Sequence, residues 1–503
     1  MPVALRDSGQ LSGGRWRAAD RELVLLAAIV GAAAVVRFAT LGHQSYDHDE
    51  AVTAWRVLRG GLGQMLGVVV HSERSPPLYY LLAWPWAKLF GTGEVGLRSL
   101  SALIGCLTVP AAYLAARQLG SGRAGLIAAA LVAFNPYLVW YSQEARSYAL
   151  VVLLIAWGLV FFARSLSDPS PRNLALWAAA SALAICSHYF AAFVVGAEGL
   201  WLLATSRPRR RPVVAFGATV VAGLALLPLA IAQEGSGRRN HFTTVPILHR
   251  VGGTVVGFLA SAEPAGLSGS PPVRLLRDAA VIVGLLAAGL ALFLLVRRAS
   301  ASERRGGIVF AAVGGAALIV PFALAAGGLD FVDPRNLIGA LVPLLLAAGI
   351  GLGCARAGRL GLAGAGAAIA AFGVVIVGVF ASAQMQRPDW RAAAAAIGPA
   401  SGPRVLVVPR NGNEPIALYR KAREFRSSRF GAVRVREIDV LATLPSVSPP
   451  DGFHPVERRR MAPCCTLWRY RAPRPTLVRA RDVSGRRVLQ ERSSVLIEGA
   501  AGR

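Results

Sequence analysis

The sequence predicts an all-α polytopic membrane bundle followed by a small C-terminal α/β domain. Of its 503 residues, 54% are hydrophobic and only 16% are charged, and the mean hydropathy is +0.50. A chain of this length with so few charges is too apolar for a single water-soluble core. In addition, many apolar stretches reach the about 17 to 25 residues that a membrane-spanning helix needs.

About eleven apolar segments have the length of membrane-spanning helices. They lie at residues 23–41, 99–119, 123–140, 147–164, 173–187, 188–205, 213–233, 278–296, 308–326, 336–355 and 361–383. Basic residues precede the first segment, but no convincing small-residue cleavage site follows it, so we expect a retained helix rather than a signal peptide. The segment 76–90 is short and rich in Tyr and Trp, which favours an interfacial or re-entrant helix.

Arginine-rich junctions indicate the orientation of the bundle. They occur near residues 15–21, 117–123, 164–172, 207–211, 297–305 and 356–359. Because basic residues accumulate on the cytoplasmic side, the loops 42–98, 141–146, about 234–277 and 327–335 are expected outside. All basic residues except Lys88 and Lys421 are arginine, a bias that suggests a GC-rich bacterial genome. We therefore expect a multi-pass protein of a bacterial plasma membrane with an extracytoplasmic polar site.

The chain divides into four regions by composition. We expect a cytoplasmic tail at 1–22, a transmembrane domain at 23–383, an extracytoplasmic α/β domain at 384–475 and a basic tail at 476–503. Within the α/β domain, the patterns "RVLVVP" and "TLWRYR" predict strands, and "EPIALYRKAREF" predicts an amphipathic helix. Residues 384–503 contain 23 basic and 10 acidic residues, a net charge of +13. This charge fits either attraction to anionic lipid headgroups or an arginine-biased solvated surface.

The stretch "SYDHDEAVTAWRVL", residues 45–58, places three carboxylates and a histidine directly after the first apolar segment. Carboxylates are costly to desolvate at a membrane boundary, and a simple anchor there is more often Arg, Lys, Trp or Tyr. One interpretation is a polar site that uses Asp49 and Glu50. The other is that Asp49 or Glu50 caps the helix that follows. The two interpretations are compatible.

Two further polar clusters fall on the same predicted side. The first contains His71, Glu73 and Arg74, just before a Pro-Pro pair that starts a helix. The second lies in "NPYLVWYSQEARSYAL", where Glu144 and Arg146 follow the end of a helix. Taken alone, the second cluster also fits an interfacial aromatic belt with a solvated turn. Three clusters on one side favour a functional site.

Five segments, taken in order, resemble a known family. They are "DHDEA", "PPLYYLLAWPWAKLFGTGEVGLRSLSALIG", "NPYLVWYSQEARSYAL", "DPRNLIGALVPLLLAAGIGL" and "RPDWRAAAAAI". They are similar to the bacterial mannosyltransferase-like members of the GT-C glycosyltransferases, a group that resembles protein O-mannosyltransferases and the aminoarabinose transferases of lipid A. The resemblance covers about residues 20 to 400. It is fairly specific for the superfamily and unspecific for the substrate.

The resemblance implies transfer of mannose or a related sugar from a polyprenyl phosphate monosaccharide to an acceptor hydroxyl on the outer side of the membrane, with inversion. The first-loop acidic residue of the family maps onto Asp49, with Glu50 beside it. An acidic and basic pair before proline maps onto Glu73 and Arg74. Here Ser75 separates the pair from proline, so the alignment could shift by one residue and include His71. The second acidic motif maps onto Glu144, with Arg146 following.

The residue types agree with such chemistry without the family. A sugar hydroxyl is a poor nucleophile and needs a general base, for which we choose Asp49. A guanidinium gives a departing phosphate two parallel hydrogen bonds, so Arg74, Arg146 and Arg335 are candidate ligands of the donor. Arg335, in "DFVDPRNL", is as readily a structural partner of a neighbouring Asp.

For two other residues, the sequence also fits either phosphate binding or a structural role. Arg98 could bind a phosphate or serve the fold. His188, at the outer end of a predicted span, could meet a phosphate or hydrogen-bond a carbonyl, and the structural role is slightly favoured.

No HxxH, HExxH or CxxC pattern supports a zinc enzyme. Asp49 and Glu144 could hold Mg²⁺ or Mn²⁺, because carboxylates bind such cations well, but arginine could replace the metal. We therefore predict no certain cofactor. Expected partners are the polyprenyl phosphate donor, an acceptor that is a protein, lipid or polysaccharide, and membrane lipids, with no nucleic acid.

Two other classes of protein remain as alternatives. A transporter or flippase for a lipid-linked glycan would place ionisable residues in the middle of its spans and contain inverted repeats. A membrane scaffold with an outer binding domain would leave Asp49 and Glu144 far apart. The distance between those two carboxylates therefore separates a site from a scaffold.

Overall fold

The structure, a computed structural model, describes residues 9–234, 245–260, 270–425, 431–442, 447–461, 465–483 and 493–499, and for residues 9–19 the backbone only. The helices of the membrane region are α1 (Gly9–Phe38), α2 (His48–Val52), α3 (Leu62–Ser72), α4 (Leu78–Phe90), α5 (Glu94–Leu119), α6 (Gly122–Phe134), α7 (Pro136–Ser142), α8 (Tyr148–Ser167), α9 (Pro171–Ser187), α10 (Ala191–Thr205), α11 (Arg210–Ala225), α12 (Leu227–Glu234), α13 (Ile247–Ala260), α14 (Pro271–Arg297), α15 (Ala301–Ala326), α16 (Ile338–Gly353) and α17 (Gly358–Ala381).

Helices lie at each of the eleven predicted spans. In the described part of the chain, seven segments are long and apolar enough to cross a membrane, namely α5, α8, α11 with α12, α14, α15, α16 with the turn before it, and α17. The pair α6 and α7 passes the same test together but bends by 58°. The protein is thus a multi-pass membrane protein. The count of eleven stays a prediction, since α1, α9 and α10 are not among these helices.

The centre of the bundle is formed by α5, α6, α8 and α16. The most apolar windows of α5 and α16 are 72% and 83% buried, whereas the window of α11 is only 11% buried. Small residues allow the central helices to approach closely: a Cβ on Gly349 or Gly353 of α16 would collide with α6 at Ala128 or Ala124. Such contacts are typical of membrane helices, where close packing replaces the hydrophobic effect.

The C-terminal region is an α/β domain, with helices α18 (Trp390–Ile397) and α19 (Asn413–Arg420) and strands β1 (Arg404–Pro409), β2 (Arg423–Glu424), β3 (Ala432–Ala442), β4 (His454–Met461), β5 (Cys465–Arg479) and β6 (Ser493–Glu498). The sheet order is β2-β6-β1-β3-β5-β4. Among the strand pairs that the described residues form, β1–β3 is parallel and the other four are antiparallel. Both helices pack on one face of the sheet.

Two local expectations for this domain differ from the structure. The helix expected at 414–425 ends at Arg420, because Lys421 adopts a left-handed conformation with φ 52°. Residues 493–498, expected within a basic tail, form β6 and pair with β1. The pattern "SVLI" explains this strand, since its apolar side chains are buried against the sheet.

The α/β domain contacts the membrane region through the segment that follows α1. The backbone N–H of Tyr46 donates to the Tyr419 hydroxyl at 2.9 Å, and that hydroxyl donates to Glu94 Oε1 at 2.7 Å. The N–H of Trp390 donates to Ser45 Oγ at 3.0 Å. The domain therefore lies directly over the acidic segment 47–50.

Candidate active site

The acidic segment forms the short helix α2, and its three carboxylates have different environments. Asp47 is the N-cap: its Oδ1 accepts the N–H of Glu50 at 2.9 Å. The N-cap is therefore Asp47 and not Asp49 or Glu50, because the helix starts before both. Glu50 does contribute to the cap from the first turn, since its Oε2 accepts the N–H of Asp47 at 3.4 Å. Glu50 is completely buried, whereas the side chain of Asp49 is 27% exposed. Of these last two, only Asp49 is open to an incoming substrate.

Glu50 joins four separate parts of the chain. Arg98 of α5 donates from Nε and Nη2 to its two oxygens at 2.8 and 2.6 Å. Arg387, just before α18, donates at 3.0 Å, and the N–H of Ala145 donates at 2.9 Å. Burial alone would raise the pKa of Glu50, but Arg98 and Arg387 lower it. Glu50 is thus an ionised, fully bonded anchor that holds the site together.

Asp49 pairs with an arginine from a distant segment. Arg335 Nη1 donates to Asp49 Oδ2 at 2.7 Å, and Arg335 Nε donates to Asp333 Oδ2 at 2.7 Å. Burial would raise the pKa of Asp49, but the charges of Arg335 and Arg146 overcome this effect and hold the pKa well below its usual range. Asp49 is therefore ionised, paired with Arg335 and stabilised further by the charge of Arg146.

Arg146 brings the two other predicted clusters together. Its Nη1 donates to Glu73 Oε2 at 2.5 Å and to the Tyr80 hydroxyl at 2.9 Å, and Tyr80 donates to Glu73 at 2.6 Å. Within the described part of the chain, the buried Nε of Arg146 has no hydrogen-bond partner. Glu73 thus fixes the guanidinium through Nη1, while Nε keeps an unused N–H donor.

Glu144 lies in the loop between α7 and α8 that also carries Arg146. Arg387 Nη2 donates to its Oε2 at 2.8 Å. Burial raises the pKa of Glu144 to about 8, an effect that Arg387 reduces and that the neighbouring Asp47 and Glu50 increase. The charges of both Asp49 and Glu144 interact with Arg335. Arg387 also joins Glu144 to Glu50, the neighbour of Asp49, and the N–H of Ala145 donates to Glu50. The two carboxylates therefore belong to one site, which argues against the scaffold alternative.

The remaining predicted residues divide into two groups. His188 is buried beside the site, its ring centroid 5.7 Å from that of Tyr148, and its Nδ1 accepts the N–H of Phe190 at 3.3 Å. By contrast, the side chains of His71 and Arg74 are exposed. The structure thus gathers all the predicted site residues except these two.

Sequence reasoning gave no role to Arg387, although it contacts both Glu50 and Glu144. The only available signal was its place in "RPDWRAAAAAI", a segment that carried the family resemblance. Arg98, left between a binding and a structural role, proves to be a buried partner of Glu50.

The donor set of the site does not favour a metal ion. In the described ranges, no group of three or more His, Cys, Asp and Glu side chains is arranged to hold one. Asp49 and Glu144, the two candidate ligands, each have an arginine partner instead. What the arrangement offers chemically is a partly exposed carboxylate that pairs with Arg335 and is influenced by the charge of Arg146.

The protein is a multi-pass membrane protein of a recognisable class. Its apolar helices carry a charged site at one end, and a small α/β domain covers that site. Residues 74–232 match the family model described as dolichyl-phosphate-mannose-protein mannosyltransferase. No curated protein sequence matches the chain.

Solved structures agree with the fold. ArnT from Cupriavidus metallidurans in its apo state aligns with a TM-score of 0.53 and 15% identity, over 80% of this chain and 84% of that one. The same protein bound to undecaprenyl phosphate aligns with a TM-score of 0.51 and 15% identity, over 79% and 84%. The predicted resemblance is confirmed: the chain has a GT-C-like fold and resembles the mannosyltransferase-like GT-C glycosyltransferases.

Proposed function

We propose that this protein transfers mannose or a related sugar from a polyprenyl phosphate monosaccharide to an acceptor hydroxyl at the outer face of a bacterial plasma membrane. One observation carries the proposal: the partly exposed carboxylate of Asp49 pairs with Arg335 at 2.7 Å, and the positive charge of Arg146 also acts on it. A base beside an anion-binding pair is what transfer from a sugar phosphate requires. The family match over residues 74–232 supports the reaction class.

Asp49 is the proposed general base. The acceptor oxygen attacks the anomeric carbon while the bond between that carbon and the phosphate oxygen breaks. The hydroxyl proton passes to Asp49, and polyprenyl phosphate leaves from the opposite side of the sugar, so the configuration inverts. Glu50 cannot take this role, since it is buried and its oxygens already accept from Arg98, Arg387 and Ala145.

Arg335 and Arg146 are the proposed ligands of the donor phosphate. Both are permanently charged and can offer paired hydrogen bonds to an anion. Arg335 pairs with Asp49 at 2.7 Å in this structure. A phosphate that takes over this guanidinium would leave Asp49 more basic when the donor is in place. We do not assign the phosphate to Arg74, because its side chain is exposed and does not lie with Arg335 and Arg146.

The proposed orientation places the site and the α/β domain outside the cell. The arginine-rich junctions support this orientation through the positive-inside rule. The α/β domain contributes Arg387 from its first residues, and that side chain contacts Glu50 and Glu144. We propose that the domain closes the site above the membrane and guides the acceptor.

A transporter is the competing interpretation, and Glu198 has the kind of position that it would need. Glu198 lies in the middle of α10 and is buried, with Oε2 accepting Trp177 Nε1 at 2.6 Å. This contact joins α9 and α10, and interhelical hydrogen bonds of this kind stabilise membrane bundles. Because this contact gives Glu198 a role in helix packing, whereas the charged groups of the proposed site cluster at one end of the bundle, we favour the transferase.

The test is transfer by purified protein in nanodiscs, with labelled polyprenyl phosphate mannose and a panel of hydroxyl acceptors. Asp49→Asn should bind the donor normally but lose transfer by a factor of about 10² or more, as expected when a general base is removed. Asp168→Asn, at the opposite end of α8 from Glu144, is the matched control and should keep full activity. Normal turnover by Asp49→Asn would overturn the assignment of the base. Movement of labelled lipid across proteoliposomes without any transfer would favour the transporter.

A further inference from the structure

Arg37, near the end of α1, is a buried cation with neutral partners. The residue is 1% exposed. Among the described residues, it donates to Ser142 Oγ at 3.2 Å and to the carbonyls of Ala33, Ala133 and Val132 at 3.3, 2.8 and 3.4 Å. A buried arginine in a membrane bundle usually has a counter-charge or a functional role. Here carbonyl oxygens replace the counter-charge.

These carbonyls belong to the break between α6 and α7. Pro136 has no N–H, so the carbonyl of Val132 loses its helical donor, and the chain bends by 58° at this point. Asn135 makes the last helical bond of α6, from its N–H to the carbonyl of Leu131. Unpaired carbonyls at a helix end carry partial negative charge and favour a cation. Arg37 therefore stabilises the bend by bonding the two carbonyls that the break exposes.

The same turn of α1 also holds the other end of α7. Arg37 Nε bonds Ser142, the last residue of α7, and Gln143 Nε2 donates to the carbonyl of Arg37 at 3.0 Å and to Thr40 Oγ1 at 2.9 Å. The approach is close: a Cβ on Gly105 of α5 would lie 2.9 Å from Arg37 Nε and nearer still to Ser142 Oγ. Both ends of α7 are thus tied to α1.

We infer that Arg37 is a positioning residue that fixes the loop 143–147 by holding both ends of α7. This loop carries Glu144 and Arg146, which face the proposed donor site. Arg37 itself is buried, and among the described residues its side chain donates to Ser142 and to backbone carbonyls of α1 and α6 rather than to the proposed site residues. The inference rests on the proposed function only for its activity measurement, since the position of the loop can be measured directly.

Hydrogen exchange followed by mass spectrometry on the purified full chain tests the position of the loop. Arg37→Met removes the charge-assisted bonds and should speed exchange of the amides in 137–147 by roughly 10- to 100-fold, the range for losing such bonds. Exchange in α14, α15 and the α/β domain should not change. Arg37→Lys keeps the charge and should restore part of the protection. Arg123→Met is the matched control, because Arg123 also donates to a backbone carbonyl, that of Gly358, at the other end of α6.

Activity provides the second measurement. If the proposed transfer is correct, Arg37→Met should lower kcat by about 10²-fold, as expected when catalytic groups shift by about 1 Å, and Arg37→Lys should recover part of it. Ser142→Ala, which removes one contact, should give a smaller change of the same kind and serves if Arg37→Met does not fold.

Three outcomes separate the hypotheses. Unchanged exchange in 137–147 would overturn the inference, and so would exchange that rises equally throughout the bundle, which indicates a general structural role. Absence of transfer by the unmodified protein, together with the local change in exchange, would contradict the proposed function and leave the positioning role intact.

Discussion

Asp49 and Glu50 are adjacent in the acidic segment, but they have different roles because they differ in burial. Glu50 points into the protein and is enclosed by Arg98 and Arg387, whereas Asp49 is 27% exposed at its side chain and meets Arg335. Both carboxylates are ionised, but of the two only Asp49 can be reached by a substrate. A carboxylate with all its acceptor positions filled stabilises the fold, and one with an open side can do chemistry.

Glu50→Gln should be the most damaging change in the site. It would leave Arg98 and Arg387 buried without their shared counter-charge, and breaking a buried pair costs about 3–5 kcal/mol. Thermal unfolding of the purified protein should show a large drop in melting temperature. Asp482→Asn, in an exposed pair with Arg481, should change it little. Equal melting temperatures for both variants would show that Glu50 does not anchor the site.

Glu144 should make stability depend on pH near neutrality. Its pKa is raised from 4.5 to about 8, so the folded state holds this proton more tightly than the unfolded state. The resulting stabilisation is complete below about pH 4.5 and is lost as the pH rises through about 8.

Glu144→Gln mimics the neutral carboxyl and cannot titrate. Between about pH 5 and pH 9, the melting temperature of the unmodified protein should therefore fall relative to that of the variant. Parallel melting curves across this range would contradict the raised pKa.

At the scale of elements, the cap of α2 shows where sequence reasoning misplaced a boundary. The pattern "DHDEA" contains several residues able to cap a helix, and all satisfy the same rule. The structure selects Asp47, whose backbone is extended and whose side chain accepts from Glu50. The difference moves Asp49 from the helix end into the first turn, where its side chain can face the site.

Asp47→Ala should destabilise the protein by about 0.5–2 kcal/mol through loss of the cap. Asp47→Asn keeps an oxygen acceptor at the same position and should cost much less. Chemical denaturation of both variants at one pH measures the difference. Equal losses would indicate that the charge of Asp47, rather than its hydrogen bond to Glu50, is what matters.

The long elements were predictable, and some of the short ones were not. Continuous apolar runs located the helices of the bundle and the buried strand β1, and an alternating pattern located β5, because these signals depend on local sequence. The end of α19 and the strand β6 were missed. Lys421 adopts an unusual backbone conformation, and β6 gains its stability by pairing with β1, far away in sequence.

At the scale of the whole molecule, orientation is the property on which the proposed mechanism depends. After the native thiols are replaced, a cysteine at exposed position 71 should react with a membrane-impermeant thiol reagent applied to intact cells. A cysteine at exposed position 118, in an arginine-rich junction, should react only after the membrane is opened. The reverse labelling pattern would place the site in the cytoplasm and exclude an outer acceptor.

The sequence by itself determined that this is a multi-pass membrane protein, located its apolar helices and placed acidic and basic residues in three clusters. These features follow from composition and local pattern, which need no knowledge of distant contacts. Only the tertiary structure decided the partners: Asp49 with Arg335, Glu73 with Arg146, and Glu50 with Arg98 and Arg387. The physical reason is that a buried charge is stabilised by whichever opposite charge the fold brings within reach, and in this chain these partners lie tens to hundreds of residues apart.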